Sequence, residues 1–378
     1  MKREKHCTAV YSSKCSEEER YDMTYEEMLE LNPYSLGKEE KQKIIFDRQM
    51  ELMDKHIKGC SAYKNIINVL HKDIRKNEDI PFLPVRMFKD MELMSVEKED
   101  VFKTMTSSGT TGQQVSKIYL DRVTASNQQK TLVKIVSEYL GSNRVPMIIM
   151  DCPSVVKDRK KFSARGAGIL GFSIFASKKI YAFDDDMNID IDTLKEFIDK
   201  YKDQKILVFG FTFMIWQYFY KAMKNMGEYI DLHNGVMIHG GGWKKLASES
   251  VSSKEFKECI REVSGMTDIH DYYGMVEQTG CIYMECECGY LHTSIFSDVI
   301  TRRSKDFSVC DNGEEGIIQV LSSIPESYPG QSILTEDKGF IVGEDDCKCG
   351  RLGKYFVVTG RIKNAEVRGC SDTYEQKV

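Results

Sequence analysis

The residues best suited to chemistry form one loop of small, mostly hydroxylated side chains. The loop reads Thr106-Ser107-Ser108-Gly109-Thr110-Thr111-Gly112. Its hydroxyl and backbone N–H groups are donors, and its glycines let the backbone approach a ligand closely. These properties suit a phosphate group, although the loop lacks the Gly-Lys-Ser/Thr ending of a Walker loop. Composition alone leaves a phosphate-binding loop and a flexible surface turn equally open.

Two later segments have the residue types of ligand-binding turns. Gly240, Gly241 and Gly242 follow a short apolar run, which places them at the end of a strand. Farther along, Tyr273 and Gly274 precede Glu277. An aromatic ring, a glycine and a carboxylate can supply a stacking face, a tight turn and a Mg²⁺ ligand. Taken singly, each segment favours a plain loop with a core tyrosine and a solvated glutamate.

Two Cys-x-Cys-Gly segments indicate a metal site. The predicted ligands are Cys286, Cys288, Cys347 and Cys349. Four thiolates in a tetrahedron suit a structural Zn²⁺ ion, since they leave no open position. His292 is a spare ligand and Cys281 another candidate. The alternative is four reduced, exposed thiols.

The elements that position these segments belong to an α/β fold. From about residue 100, short apolar runs such as residues 145–150 and 206–211 alternate with amphipathic stretches such as residues 125–139. Such alternation implies a mostly parallel sheet with flanking helices and ligands at the strand ends. We therefore predict three regions. They are a helical N-terminal region (1–95), an α/β core with the four-cysteine zinc site (96–360) and a short C-terminal tail (361–378).

Composition excludes several classes of protein. Fifty-three Lys and Arg oppose 58 Asp and Glu, and the net charge of −5 argues against a nucleic-acid partner. No stretch reaches the roughly 18 apolar residues of a membrane span, and no signal peptide is recognised at the start. These features predict a cytoplasmic protein. Its 12 cysteines are then not expected to form a disulfide framework.

Taken together and in this order, the segments resemble the adenylate-forming superfamily, which includes acyl-CoA synthetases and phenylacetate–CoA ligases. In that family a Ser/Thr/Gly loop holds the phosphates of ATP, and a glycine-rich strand end lies along the adenine. A Tyr-Gly-x-x-Glu segment stacks on the base and binds Mg²⁺. The resemblance therefore assigns ATP binding to residues 106–112 and 240–242, to Tyr273 and to Gly274, and Mg²⁺ binding to Glu277.

Two downstream positions extend the resemblance. A Thr-x-Asp segment of the family contacts the ribose, and Asp337 in Thr335-Glu336-Asp337 is similar to it. A Gly-Arg pair marks the family's hinge to its C-terminal domain, and Arg361 resembles its arginine. The implied fold is an adenylate-forming N-terminal domain.

A closer resemblance is to the LuxE-type acyl-protein synthetases, long-chain fatty acid–protein ligases of bacterial luminescence. It rests on residues 80–84, on residues 240–244 and on Arg368-Gly369-Cys370 near the end. Members activate a fatty acid as acyl-AMP, hold the acyl group on a cysteine near their C-terminus and pass it to an acyl reductase. The resemblance implies a carboxylic, fatty acid substrate and Cys370 as acyl acceptor. An acyl reductase, an acyl carrier or CoA is the expected next acceptor.

The chain departs from the superfamily pattern at two places. The family loop has a lysine three residues after its last glycine, where this chain has Val115 and the nearest lysine is Lys117. The chain also ends 17 residues after Arg361, without the usual C-terminal lid and its catalytic lysine. Charge stabilisation during adenylation is therefore expected from Lys117, Lys244 or Lys363, or from a partner protein.

Two rival functions stay open at this point. One is an acyl- or aryl-CoA ligase that releases its thioester to CoA, and the other is a non-catalytic scaffold with a relic nucleotide site. For His239, a place near the substrate carboxylate and a packed strand position are both open. Arg165 belongs either to a turn or to an anion contact. Residues 209–220 are expected in the core, or in part along an acyl tunnel.

Overall fold

The structure is a computed structural model of the 378-residue chain. It describes residues 23–70, 73–107, 115–157, 164–243 and 249–362. Several candidate residues lie outside the described ranges: Ser108, Gly109, Thr110, Thr111, Gly112, Lys244, Lys363 and Cys370.

Helices and strands alternate between residues 117 and 273, whereas residues 283–361 contain strands and no α-helix. The helices are α1 (Tyr25–Glu30), α2 (Lys38–Gly59), α3 (Ser61–Val69), α4 (Met87–Asp90), α5 (Arg122–Leu140), α6 (Ser154–Lys157), α7 (Ala164–Phe172), α8 (Ile191–Lys200), α9 (Thr212–Met214), α10 (Lys221–Met226) and α11 (Ser253–Ser264). A π-helical turn, Ile215–Tyr220, joins α9 to α10. Short 3₁₀ turns cover Asn77–Asp79, Lys98–Asp100, Ser173–Phe175 and Val276–Gln278.

The strands form one large sheet and one hairpin. They are β1 (Leu83–Pro84), β2 (Lys103–Thr106), β3 (Lys117–Leu120), β4 (Val145–Met150), β5 (Ala176–Tyr181), β6 (Ile206–Phe211), β7 (Gly235–Gly240), β8 (Asp268–Tyr273), β9 (Tyr283–Glu285), β10 (Leu291–His292), β11 (Ser297–Arg302), β12 (Gly316–Ser322), β13 (Ser332–Glu344) and β14 (Lys354–Arg361). The sheet order is β11-β12-β13-β14-β10-β9-β8-β7-β6-β4-β5, with β1 beside β13. The hairpin pairs β2 with β3.

The sheet has a parallel half and an antiparallel half. Strands β5, β4, β6, β7 and β8 run parallel, as the alternation of apolar runs and helices predicts. From β8 to β11 each neighbouring pair is antiparallel, because most of these strands are joined by turns rather than crossover helices. The α/β fold is therefore as predicted, with an antiparallel extension of the parallel sheet.

The parallel half is buried on both faces, which explains its apolar runs. Every residue of β4, β6 and β7 is buried, as expected for parallel strands covered by helices. Helix α11 begins at the N-cap Ser252 and ends at Gly265, which has the left-handed φ of +68° that favours glycine. Its buried residues Phe256, Ile260 and Val263 recur at helical spacing and pack in the main core.

The N-terminal helices pack directly on the antiparallel half. Arg48 Nε of α2 donates to the carbonyl oxygen of Ser323 at 2.9 Å, and Gln49 Nε2 donates to that of Ser322 at 2.8 Å. Strand β1, in the proline-rich connector, pairs in parallel with β13. These contacts hold the N-terminal region against the end of β12 and against β13, the strand that carries Asp337.

Acidification is expected to destabilise the fold through His56 of α2. Its Nδ1 lies 2.9 Å from Ser95 Oγ and its Nε2 lies 3.1 Å from the carbonyl oxygen of Pro325. Burial lowers the pKa of His56 to about 3. Between that value and the ordinary pKa, the unfolded chain binds a proton that the folded chain excludes. Stability is therefore lost as the pH falls below about 6.5, by about 1.4 kcal/mol per pH unit.

Urea unfolding of the wild type and of His56→Gln across this pH range checks the prediction. The free energy of unfolding should depend less on pH in His56→Gln than in the wild type, by about 1.4 kcal/mol per pH unit. His233, whose side chain is 67% exposed, offers the control substitution His233→Asn, which should keep the wild-type slope. Equal slopes in all three proteins would contradict the assignment.

Candidate functional site

The glycine-rich segment lies at the carboxyl end of the parallel half. Gly240 ends β7 and pairs with Tyr272 on β8. A Cβ atom on Gly240 would lie 2.5 Å from the Tyr272 ring, so only glycine fits against that ring. Gly241 has the left-handed φ of +73°. A Cβ on Gly242 would meet no described atom within 4 Å. At Gly242 the segment therefore offers bare backbone facing open space, which a flat ligand can approach closely.

Glu277 lies in the turn that follows β8. Tyr273 ends the strand, Gly274 follows it, and Glu277 lies in the 3₁₀ turn with only 1% of its surface exposed. Its carboxylate Oε1 accepts a hydrogen bond of 2.6 Å from Ser116 Oγ. Its backbone carbonyl accepts one of 2.8 Å from Tyr328 OH. The position of this carboxylate is therefore fixed from both sides.

Ser116 connects Glu277 to the base of the Ser/Thr/Gly loop. Thr106 and Lys117 are opposite each other in the β2–β3 hairpin. Above them, the backbone N–H of Ser107 donates to the Ser116 carbonyl at 3.1 Å, and the Ser116 N–H donates to Ser107 Oγ at 2.9 Å. The hairpin thus holds the described base of the loop next to Glu277. An anion-binding loop and a metal-binding carboxylate need this proximity to act on one phosphate chain.

Tyr273, Asp337 and Arg361 form a second connected group. Tyr273 OH donates to Asp337 Oδ2 at 2.7 Å. Arg361 Nε lies 3.3 Å from Asp337 Oδ1, and its Nη2 lies 2.8 Å from Glu336 Oε2. Burial, with the charge of Asp337, raises the pKa of Tyr273 well above its ordinary value, so the phenol stays a donor. The group links the end of β8 to β13 and β14, at the place where the predicted stacking and ribose-binding residues must meet.

Three other candidates have structural partners. His239 Nδ1 lies 2.9 Å from Thr212 Oγ1, and burial lowers the pKa of this histidine to about 3, which favours the packed-strand interpretation. Arg165 lies on α7, and its Nε is 2.9 Å from Asp151 Oδ2 in a buried ion pair. The Cys281 thiol donates to the Phe296 carbonyl at 3.4 Å, inside the main core. The buried aromatic residues of 209–220 also lie in that core.

Three of the four cysteines lie close together, where β9 ends and where β13 turns into β14. Cys286 Sγ lies 3.9 Å from Cys347 Sγ, and Cys349 Sγ lies 3.4 Å from His292 Nε2. The four ligand atoms all lie within 4.8 Å of one another. Cys288 is exposed and does not belong to this group. The cluster thus contains His292, which the sequence offers as a spare ligand, while Cys288 lies in the tight turn after β9.

Two residues in contact with the candidate site residues were missed by sequence reasoning. Ser116 holds Glu277, but this contact joins residues 161 positions apart in sequence and follows only from the tertiary fold. Tyr272 lies against Gly240, while its neighbour Tyr273 reaches Asp337. Adjacent residues of a strand point to opposite faces of the sheet. Two consecutive tyrosines in a predicted strand therefore indicate an aromatic ring on each face.

Comparisons with known proteins agree with this geometry. A family model described as acyl-protein synthetase, LuxE, matches residues 16–378. A long-chain-fatty-acid–luciferin-component ligase of Aliivibrio fischeri is 23% identical over 356 residues, which cover 87% of this chain and 89% of the relative. A protein of the same name from Vibrio harveyi is 22% identical over 316 residues, covering 79% of this chain and 78% of the relative.

Solved structures share the fold. An open conformation of 2-hydroxyisobutyryl-CoA ligase, in complex with 2-HIB-AMP and CoA, superposes with a TM-score of 0.68 at 12% identity, covering 88% of this chain and 77% of that chain. Its postadenylation state with 2-HIB-AMP gives a TM-score of 0.67 at 13% identity, covering 88% and 70%. The predicted adenylate-forming fold is confirmed. Among the described helices, none is both long and apolar enough to cross a bilayer.

Proposed function

Because the chain belongs to the acyl-protein synthetase family LuxE, we propose that it activates a fatty acid with ATP and transfers the acyl group to its own Cys370. Family and fold together make it an adenylate-forming acid–thiol ligase. The 2.6 Å contact between Ser116 Oγ and Glu277 carries the proposal, because it joins the loop base to the metal-binding carboxylate. The names of both relatives support a long-chain fatty acid as the substrate class.

In the first step, a carboxylate oxygen of the acid attacks the α-phosphorus of ATP. The bond from this phosphorus to the bridging oxygen breaks, giving acyl-AMP and pyrophosphate with no net proton transfer. Negative charge gathers in the transition state, so catalysis depends on positioned donors. Thr106 and Ser107, with residues 108–112 that follow them, would supply hydroxyl and N–H donors. Glu277 would hold Mg²⁺, which offsets phosphate charge when bound.

The adenosine part of ATP fits the remaining groups of the cleft. The backbone of Gly240, Gly241 and Gly242 would face the adenine, and the Tyr273–Gly274 turn would supply the stacking ring. The carboxylate of Asp337, held by Tyr273 and Arg361, suits the ribose hydroxyls. This is the binding role that the superfamily resemblance assigns to these positions.

Lys117 is the described candidate for a phosphate-binding cation. It is exposed and lies opposite Thr106 at the base of the loop. A cation here would stand beside the phosphate chain and take the place of the lysine that the family loop carries. Lys363 and Lys244 are the further candidates, outside the described residues.

In the second step, the Cys370 thiolate attacks the carbonyl carbon of acyl-AMP. The bond to the AMP oxygen breaks, AMP leaves, and a thioester remains on the enzyme, while the thiol proton passes to solvent. Arg361, Lys363 and Arg368 are near Cys370 in sequence, and positive charge favours the thiolate. The acyl group then passes to a reductase, to an acyl carrier or to CoA. The names of both relatives give a luciferin component as their acceptor, which supports an acceptor of this kind.

Replacing Cys370 with alanine is expected to separate the two steps. Acid-dependent ATP–pyrophosphate exchange should continue, because it reports acyl-AMP formation alone, whereas hydroxylamine-sensitive acyl label on the protein should vanish. The experiment uses radiolabelled fatty acid and a Cys288→Ala control, since Cys288 is exposed in the described part of the chain. A label that persists on Cys370→Ala would refute the acceptor assignment.

A further inference from the structure

We propose that Cys286, His292, Cys347 and Cys349 bind one structural Zn²⁺ ion. This site lies outside the reaction of the proposed function. Its ligands come from three places in the sheet: Cys286 follows β9, His292 ends β10, and the other two lie in the turn between β13 and β14. Cys286 and His292 are fully buried, and Cys347 is 7% exposed.

Two of the distances within the cluster match those of a tetrahedral ion. With Zn–S of about 2.3 Å and Zn–N of about 2.0–2.1 Å, tetrahedral angles give an S···S distance of about 3.8 Å and an S···N distance of about 3.6 Å. The observed separations are 3.9 Å for Cys286–Cys347 and 3.4 Å for Cys349–His292. A disulfide needs about 2.05 Å between the sulfurs, so the geometry is that of shared ligands and not of a covalent pair.

The surroundings suit a bound thiolate cluster. The backbone N–H of Arg351 donates to Cys349 Sγ at 3.5 Å, as expected where a turn wraps a metal-bound sulfur. Three thiolates and one Zn²⁺ carry a net charge of −1, and the Arg351 guanidinium is an adjacent positive group, paired with Glu287. The ring of Tyr355 stacks on His292 with centroids 5.5 Å apart and fixes the imidazole.

The site is remote from the nucleotide cleft. In the β13–β14 pair, Asp337 lies opposite Arg361, and Glu344 lies opposite Lys354 next to the turn that carries the cysteines. Asp337 and Glu344 are seven residues apart along β13. At about 3.3 Å per residue, this separation is about 23 Å. Four protein ligands also leave no open position for substrate. The ion therefore joins two turns of the antiparallel half and takes no part in acyl transfer.

Binding of the ion is a proton-releasing step without redox change. Three thiols lose their S–H protons to solvent, the imidazole binds as its neutral form, and the metal stays Zn²⁺. Because the ligands come from strands distant in sequence, the free energy of binding adds to the stability of the folded chain.

The test starts with the purified, full-length wild type. Elemental analysis should find about one zinc per chain, and X-ray absorption should give three sulfur ligands at about 2.3 Å and one nitrogen at about 2.0–2.1 Å. A chain without zinc, or a shell of four sulfurs, would overturn the assignment. Both readouts are independent of acyl-AMP chemistry, so the failure of this inference leaves the proposed function untouched.

A pair of variants identifies the fourth ligand. Cys288→Ser should keep its zinc, because this exposed thiol lies outside the cluster, whereas His292→Gln should lose most of it. The reverse result would restore the set of four cysteines and contradict the present one. If His292→Gln does not fold, the sulfur count in the wild type decides between the two sets.

Discussion

Replacing Glu277 with glutamine is expected to lower acid-dependent ATP–pyrophosphate exchange by about 10²- to 10³-fold, the usual loss when one electrostatic stabiliser of a transition state is removed. In the wild type, Ser116 Oγ donates to the Glu277 carboxylate at 2.6 Å. Glutamine keeps the shape of the side chain and an oxygen that can accept this hydrogen bond. It removes the negative charge that would hold Mg²⁺. The exchange rate should therefore fall and its dependence on MgCl₂ should shift to higher concentrations.

The matched controls separate charge from structure. Ser116→Ala removes the hydrogen bond and keeps the carboxylate, so its exchange rate should fall by much less than that of Glu277→Gln. Urea unfolding of Glu277→Gln should stay within about 1 kcal/mol of the wild type, the usual size of one hydrogen bond. An exchange rate for Glu277→Gln that matches the wild type at all MgCl₂ concentrations would rule out the metal-binding role.

Replacing Lys354 with methionine is expected to destabilise the fold by about 3–5 kcal/mol, the usual cost of breaking a buried ion pair from one side. Lys354 Nζ lies 2.7 Å from Asp298 Oδ2, and both side chains are less than 10% exposed. The variant leaves a buried carboxylate that also interacts with the cation of Lys41. The Lys41 ammonium donates to the side chain and carbonyl of Thr293, at 2.6 Å and 3.3 Å, so this second lysine is a weak replacement.

Two controls test whether the loss comes from an unpaired buried charge: a double variant of the buried pair and a variant of an exposed ion pair. Lys354→Met with Asp298→Asn removes both charges and should recover at least half of the lost stability, because no buried charge of the pair remains. Lys338 is 40% exposed and pairs with Glu315 in the same half of the sheet. Lys338→Met should therefore cost less than about 1 kcal/mol in urea unfolding. Equal losses for Lys354→Met and Lys338→Met would contradict the account.

The parallel half could be predicted from the sequence because of its burial. The apolar runs at residues 145–150 and 206–211 coincide with β4 and β6, and the amphipathic stretch at 125–139 lies within α5. Strands covered on both faces need apolar residues at nearly every position, and their boundaries are then visible in the composition. The buried strand β7 is likewise apolar, so the sequence analysis correctly placed Gly240, Gly241 and Gly242 at its end.

The antiparallel half and the contacts of the site were less accessible to prediction. Strand β13 spans Ser332–Glu344 and contains several charged residues, so it has no apolar signature. Whether a side chain faces the cleft depends on the register of strands distant in sequence. The tertiary fold also places Ser116 against Glu277, 161 positions away in sequence, and groups His292 rather than Cys288 with the other three cysteines. Neither contact follows from local spacing.

Intact-protein mass spectrometry tests the central claim most directly. The wild type is incubated with ATP, Mg²⁺ and a series of carboxylic acids, with and without CoA, and AMP is measured in parallel. The account predicts a CoA-independent mass increase equal to a fatty acid minus water, mapping to the peptide of Cys370 and removed by hydroxylamine. AMP release that requires CoA, with no adduct on the protein, would contradict it and identify an acyl-CoA ligase. The absence of both signals would contradict the proposed activity altogether.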